Sequence, residues 1–158
     1  MMRDRPHQFM IAALGAAALV SSCTNAKISE CQKLIKGINH GVEAIADVKL
    51  NRSQTALQIG TALDTTTKEL EKFPLKDEKL QEFRRRFVII FTALSRAFRE
   101  IGQAMRVVEL AQPNQAGIAT AHSAKTRVES NRKSIKKIGR DADKLAAEIN
   151  TYCKFSKY

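Results

Sequence analysis

Residues 49–54 read KLNRSQ, and the reading of these six sets the number of helices. Upstream, Ile28, Cys31, Ile35, Ile38, Val42 and Ile45 recur at intervals of three and four. Downstream, Ala56, Ile59, Leu63, Thr66, Leu70 and Phe73 do the same in the same phase. Such spacing lines one face of a helix with apolar side chains. Read unbroken, it predicts one helix of more than forty residues and a three-helix, up-down-up bundle. Lys49 and Arg52, however, occupy the two bridging seam positions, which a dry interface excludes. Asn51 followed by Gln54 has the capping-box pattern that starts a new helix. A break here makes a short helical hairpin from residues 28–48 and 52–73.

The second half is easier to read. Leu80, Phe83, Phe87, Ile90, Leu94, Ala97, Ile101, Ala104 and Val108 form a sustained seam, widened by Phe91, Phe98 and Met105 to face more than one neighbour. A further seam runs Ala121, Ala124, Val128, Asn131, Ile135, Ile138, Ala142, Leu145, Ile149 and Tyr152. Asn131 alone interrupts it, and a lone seam asparagine usually fixes register. Pro74 and Pro113 end the helices before them, because the residue preceding proline avoids helical geometry. Helices are expected near 76–111 and 115–152, each about 50 Å long, paired antiparallel through the short link QPNQAG. Sustained strand alternation and hairpin turn pairs are missing. The expected fold is all-α, an antiparallel bundle of four helices with a short hairpin packed on a long one. Three long helices are the alternative.

The N-terminus carries Arg3 and Arg5, then the uncharged, mostly apolar run MIAALGAAALV at 10–20. This is the layout of an export signal, and the run is too short to cross a bilayer at about 1.5 Å per residue. Its end, Val20-Ser21-Ser22-Cys23, resembles the lipobox of bacterial lipoproteins. That resemblance implies cleavage before Cys23, lipid attachment to its sulfur and anchoring to a membrane. Two or three acyl chains would hold the protein there stably, where one would be marginal. The resemblance divides the chain into a signal (1–22), a tether (23–30) and one bundle domain (31–158). Thr24 stands where an aspartate would imply retention at the inner membrane, so the expected address is the outer membrane, facing the periplasm.

Two further cysteines, Cys31 and Cys153, remain, and an even count in an exported chain suggests a disulfide, the alternative being two free or buried thiols. The pairing bears on the helix count. In a three-helix bundle these cysteines lie at opposite poles, beyond the roughly 7 Å Cα separation that a disulfide permits. With four helices they meet at one pole, which favours four and places that pole next to the membrane.

The chain has 27 basic and 16 acidic residues, a net charge of +11. Residues 23–75 hold 7 basic and 6 acidic groups, whereas 76–158 hold 18 and 9, so the long hairpin carries the excess. Lys133, Lys136, Lys137, Arg140 and Lys144 fall opposite Ile135 and Ile138 on a helical projection. Arg84, Arg85 and Arg86 form a second cluster beside the Phe83/Phe87 seam. In an exported protein the polyanions within reach are lipid headgroups and cell-wall polymers, not nucleic acid. The same excess also suits a solvated exterior that keeps a bundle soluble.

Chemistry-bearing constellations are missing. His40 and His122 have no second histidine or cysteine at metal-ligand spacing, and there is no haem-attachment motif, phosphate-binding glycine loop or nucleophile elbow. Neither enzymatic activity, a cofactor nor a metal is expected. Gly37 and Gly41, four apart, mark a close helix crossing.

Cys31, Leu34, Ile35, Ile38, Asn39 and Gly41, the segment LKDEKLQEFRRRF at 75–87 and the closing Tyr152-Cys153 resemble small helical proteins of cyanobacteria. That resemblance brings no activity and no site residues. The functional expectation is a membrane-anchored, non-enzymatic interaction or envelope-structure module. The alternative is a helical ligand-binding protein with an apolar pocket between the Phe-rich third helix and the short hairpin.

Overall fold

The computed structural model describes residues 17–46 and 48–154, with side chains from Ala26 onward. The expected signal peptide lies for the most part outside the described residues. Four helices follow one another: α1 (Ala17–Glu43), α2 (Ser53–Glu71), α3 (Glu78–Glu109) and α4 (Gln115–Lys154). The chain is therefore a four-helix bundle, and KLNRSQ is a break.

The break is made differently from the capping box. Arg52 is the N-cap of α2, extended at φ −140° and ψ 148°, and no side chain caps from that position. Instead the Ser53 backbone N–H and hydroxyl donate to the two carboxylate oxygens of Glu109, at 2.9 and 2.6 Å. Glu109 ends α3, so the unsatisfied N–H groups at the start of α2 meet an anion supplied from another helix. Asp77 does the local version of this job for α3, accepting from the Leu80 backbone N–H at 2.9 Å.

α1 stops at Glu43, five residues before the expected Val48. A turn over 44–46 follows, then irregular chain at 48–51 that includes an Asn51 N–H to Lys49 carbonyl bond of 2.9 Å, with Ile45 and Leu50 packed against the core. The inward positions of α1 also differ from the expected seam: Cys31, Leu34, Ile38 and Gly41 are buried, while Val42 is 46% exposed. The reason is distance. A Cβ added at Gly41 would lie 2.6 Å from Phe91 Cζ, and one at Gly37 would lie 2.7 Å from Phe73 Cε2. The two glycines let α1 approach α2 and α3 more closely than a larger residue allows, and Gly41 takes the place assigned to Val42.

α3 is the central helix. It packs against α2 and α1 on one side and α4 on the other. Phe83, Phe87 and Phe91 are essentially inaccessible and join Leu34, Leu63, Leu70, Leu80, Leu94, Phe98, Leu145 and Ile149 in one core. α2 runs antiparallel alongside α3, from Ser53 at Glu109 to Phe73 at Arg84, and α4 has α3 as its main neighbour. Only Ala124, Leu145, Ile149 and Cys153 are buried on α4, and Val128, Asn131, Ile135 and Ile138 are half-buried. Asn131 does not reach across the seam; its side-chain amide donates to the Arg127 carbonyl within α4.

Cys31 and Cys153 are bonded, with Cα atoms 5.9 Å apart. This bond joins α1 to the end of α4. The segment expected as a tether, 23–30, is continuous with α1 in backbone conformation, and the side chains of Lys27 and Glu30 enter the fold. Glu30 accepts from the Lys76 and Asp77 backbone N–H groups at 3.0 and 3.1 Å. Lys27 lies 3.8 Å from the Tyr152 ring centroid and 3.9 Å from Asp77. The folded unit thus begins at least as early as Lys27.

Candidate anion-contact face

α4 turns 100° per residue, so positions three, four and seven apart return to one face. Its buried and half-buried residues hold one side against α3. Lys133, Lys136, Lys137, Arg140 and Lys144 hold the opposite side, and all five are exposed. Among the described residues none of the five enters an ion pair. From Lys133 to Lys144 the row extends about 16 Å along the axis. α4 keeps this face open because no element of the bundle packs outside it.

The arginine cluster is dispersed by the fold. Arg84 donates to the Phe73 carbonyl at 2.5 Å and to the Glu71 carbonyl at 3.4 Å, so it holds the C-terminal end of α2. Arg86 forms a two-point bond to Glu148 on α4, at 2.7 and 3.3 Å, and lies 3.8 Å from Glu82. Those contacts raise the Arg86 pKa, the Glu148 hydrogen bond contributing most, and lower that of Glu148. Arg85 is exposed, but it lines an open groove with Asp77, Glu78, Lys79, Glu82 and Tyr152, a surface of mixed sign. Of the two clusters, it is the α4 row whose members are all exposed and outside ion pairs among the described residues.

Cys23 lies in the N-terminal part of α1, and its side chain is outside the described residues. Along the axis it is one helical turn before Lys27 and two before Cys31, which places it at the disulfide-closed end.

Two polar clusters escaped the sequence reading. The first is Lys27, Glu30, Asp77 and Tyr152, where the Tyr152 hydroxyl donates to the Asp77 carboxylate at 2.9–3.0 Å. The second joins α2 to α3: Ser95 donates to the Gly60 carbonyl at 2.9 Å and to Asp64, and Arg99 pairs with Asp64. Burial would raise the Asp64 pKa, but the hydrogen bonds from Ser95 and Arg99 outweigh it and the net shift is downward. An anion held in this way is a weaker base, the opposite of what proton abstraction from a serine requires. The cluster is a helix clamp. Its members are scattered in sequence without motif spacing, so only a knowledge of which helices pair could have found it.

The space where an apolar ligand would sit, between α3 and the α1–α2 hairpin, is filled by Phe83, Phe87, Phe91 and Phe98 with Leu34, Leu63 and Leu70. Among the described residues no three histidine, cysteine, aspartate or glutamate side chains gather as metal ligands. No described helix is long and apolar enough to cross a membrane. Compared with known proteins, the chain matches no family model, no curated protein and no solved structure.

Proposed function

We propose that this protein is an exported helical bundle, anchored to the outer membrane by acyl chains on Cys23, that serves the cell envelope as a non-enzymatic contact module. The basic row of α4 binds anionic surfaces, lipid or cell-wall polymer. The observation that carries this reading is the row itself: five cations on one exposed helix face, without ion-pair partners among the described residues. Each cation near an anionic surface contributes on the order of 1 kcal/mol, weakening as salt rises. The lipobox-like end of the signal and an interhelical disulfide are consistent with export.

Two measurements test the reading. Intact mass and cell fractionation should find an acylated chain starting at Cys23, and a Cys23→Ala variant should leave the membrane fraction. An unmodified soluble protein would overturn the anchoring. For the row, delipidated protein should float with vesicles containing anionic lipid and not with neutral ones, and less so as salt rises. Indifference to lipid charge would remove the contact role.

A further inference from the structure

The proposed anchor and the basic row sit on one rigid unit, and their relative placement restricts what the row can reach. α1 runs without a break through Cys23, Lys27 and Cys31. Its register against the neighbours is fixed at several levels: Lys27 touches Tyr152, Glu30 bonds the backbone of residues 76 and 77, and Gly41 lies against Phe91. Moving from Lys27 to Gly41 on α1 therefore moves from Asp77 to Phe91 on α3, and the two helices run side by side in the same direction. α4 runs antiparallel to both, with Cys153 bonded to Cys31 and the Tyr152 side chain reaching down to Lys27 and Asp77.

Heights above the anchor follow from the helical rise. The Cys31–Cys153 bond sets a common level; Cys23 is about 12 Å before it along α1, and Lys144 is about 14 Å beyond it along α4. The row thus begins about 26 Å from the anchored residue along the axis and ends about 42 Å from it at Lys133. Electrostatic attraction in physiological salt decays over about 8 Å. A bundle standing on the α1 stem holds its row beyond the field of its own membrane, facing sideways into the aqueous space.

From this geometry we infer that the partner of the row is a linear anionic polymer of the cell envelope, a glycan carrying carboxylate or phosphate groups, and not the bilayer that carries the anchor. This rests on the anchoring proposed above. Lys133, Lys137, Arg140 and Lys144 are spaced by four, three and four residues, giving a cation about every 5–6 Å along α4. An extended chain of charged sugars laid along the helix offers counter-charges over the whole length of such a row. The protein then links a membrane at one end to a polymer along its side.

The experiment uses the full acylated protein, carried by its own lipid on vesicles in about 0.15 M salt, with labelled polygalacturonate as probe. Neutral vesicles and vesicles containing anionic lipid should capture the polymer to within about twofold of each other. A Lys133→Glu/Lys137→Glu/Arg140→Glu/Lys144→Glu variant should lose capture by about tenfold or more on both, with circular dichroism showing it folded. Capture that vanishes on anionic vesicles, with an acylated mass, would mean that the row lies down on the bilayer and would overturn this inference alone. Capture by the variant equal to that of the native protein would overturn the row as the site. An unacylated mass would overturn the anchoring, and this inference with it.

Discussion

Glu109, the last residue of α3, accepts both the backbone N–H and the hydroxyl of Ser53, the first residue of α2. One carboxylate thereby closes the start of one helix against the end of another, at the pole remote from the disulfide. The two Ser53 hydrogen bonds pull the Glu109 pKa below its ordinary value, with Arg106 and Arg52 adding to the effect.

The contact should give a defined pH signature. The folded pKa of Glu109 is lower than the unfolded one, so its contribution is present above the unfolded value of about 4.5 and is lost as pH falls through the folded value. Ser53→Ala should lower the urea midpoint at pH 7. Urea midpoints of native protein and variant should converge as pH is lowered below the ordinary glutamate value. A gap that stays constant would show that Ser53 acts independently of the Glu109 charge.

The disulfide spans 122 positions. In the chain-entropy account, closing a loop of that size stabilises a fold by about 4–5 kcal/mol, less any strain. Cys31→Ser/Cys153→Ser protein should unfold at markedly lower urea than oxidised native protein, and reductant should shift the native curve toward that of the variant. Non-reducing peptide mapping should recover a Cys31–Cys153 linked peptide.

Gly41→Val tests the close crossing of α1. Phe91 is 1% exposed and enclosed by the core, so its ring cannot retreat from an added side chain. The variant should lose about 1–3 kcal/mol through overpacking. Val42→Ala, one residue away on the exposed side, should change stability by less than about 0.5 kcal/mol. Thermal melts of the two variants would separate this arrangement from a seam centred on Val42, which predicts the reverse order.

Neighbouring arginines should behave differently. Arg84→Ala removes the bond to the Phe73 carbonyl at the end of α2 and should cost about 1–2 kcal/mol. Arg85→Ala should leave the melting temperature almost unchanged. Neither should reduce binding to anionic vesicles as much as Lys137→Ala/Arg140→Ala if the contact face is the α4 row proposed above. Equal losses of binding for all three would place the arginine cluster back in the contact surface.

What the sequence by itself determined were the features whose cause is local in the chain. The spacing of Phe83, Phe87, Leu94, Ile101 and Ala104 requires a helix with an apolar face. Charged Lys49 and Arg52 cannot continue a buried seam, so the chain breaks there. The five cations of α4 face away from Ile135 and Ile138 wherever that helix is placed, because a helix fixes its own angular order. Their exposure needed one tertiary fact: α4 packs chiefly on α3, so no described element covers its outside. Other features were wholly tertiary. Gly41 replaces Val42 at the interface because Phe91 is there, and Arg84 and Arg86 are occupied because Phe73 and Glu148 are within reach. Such pairs are set by interhelical distances of a few ångströms, which one chain's periodicity does not encode. The tether became a stem for the same reason: Lys27 and Glu30 find partners at Tyr152, Lys76 and Asp77, far along the chain but level in the folded bundle.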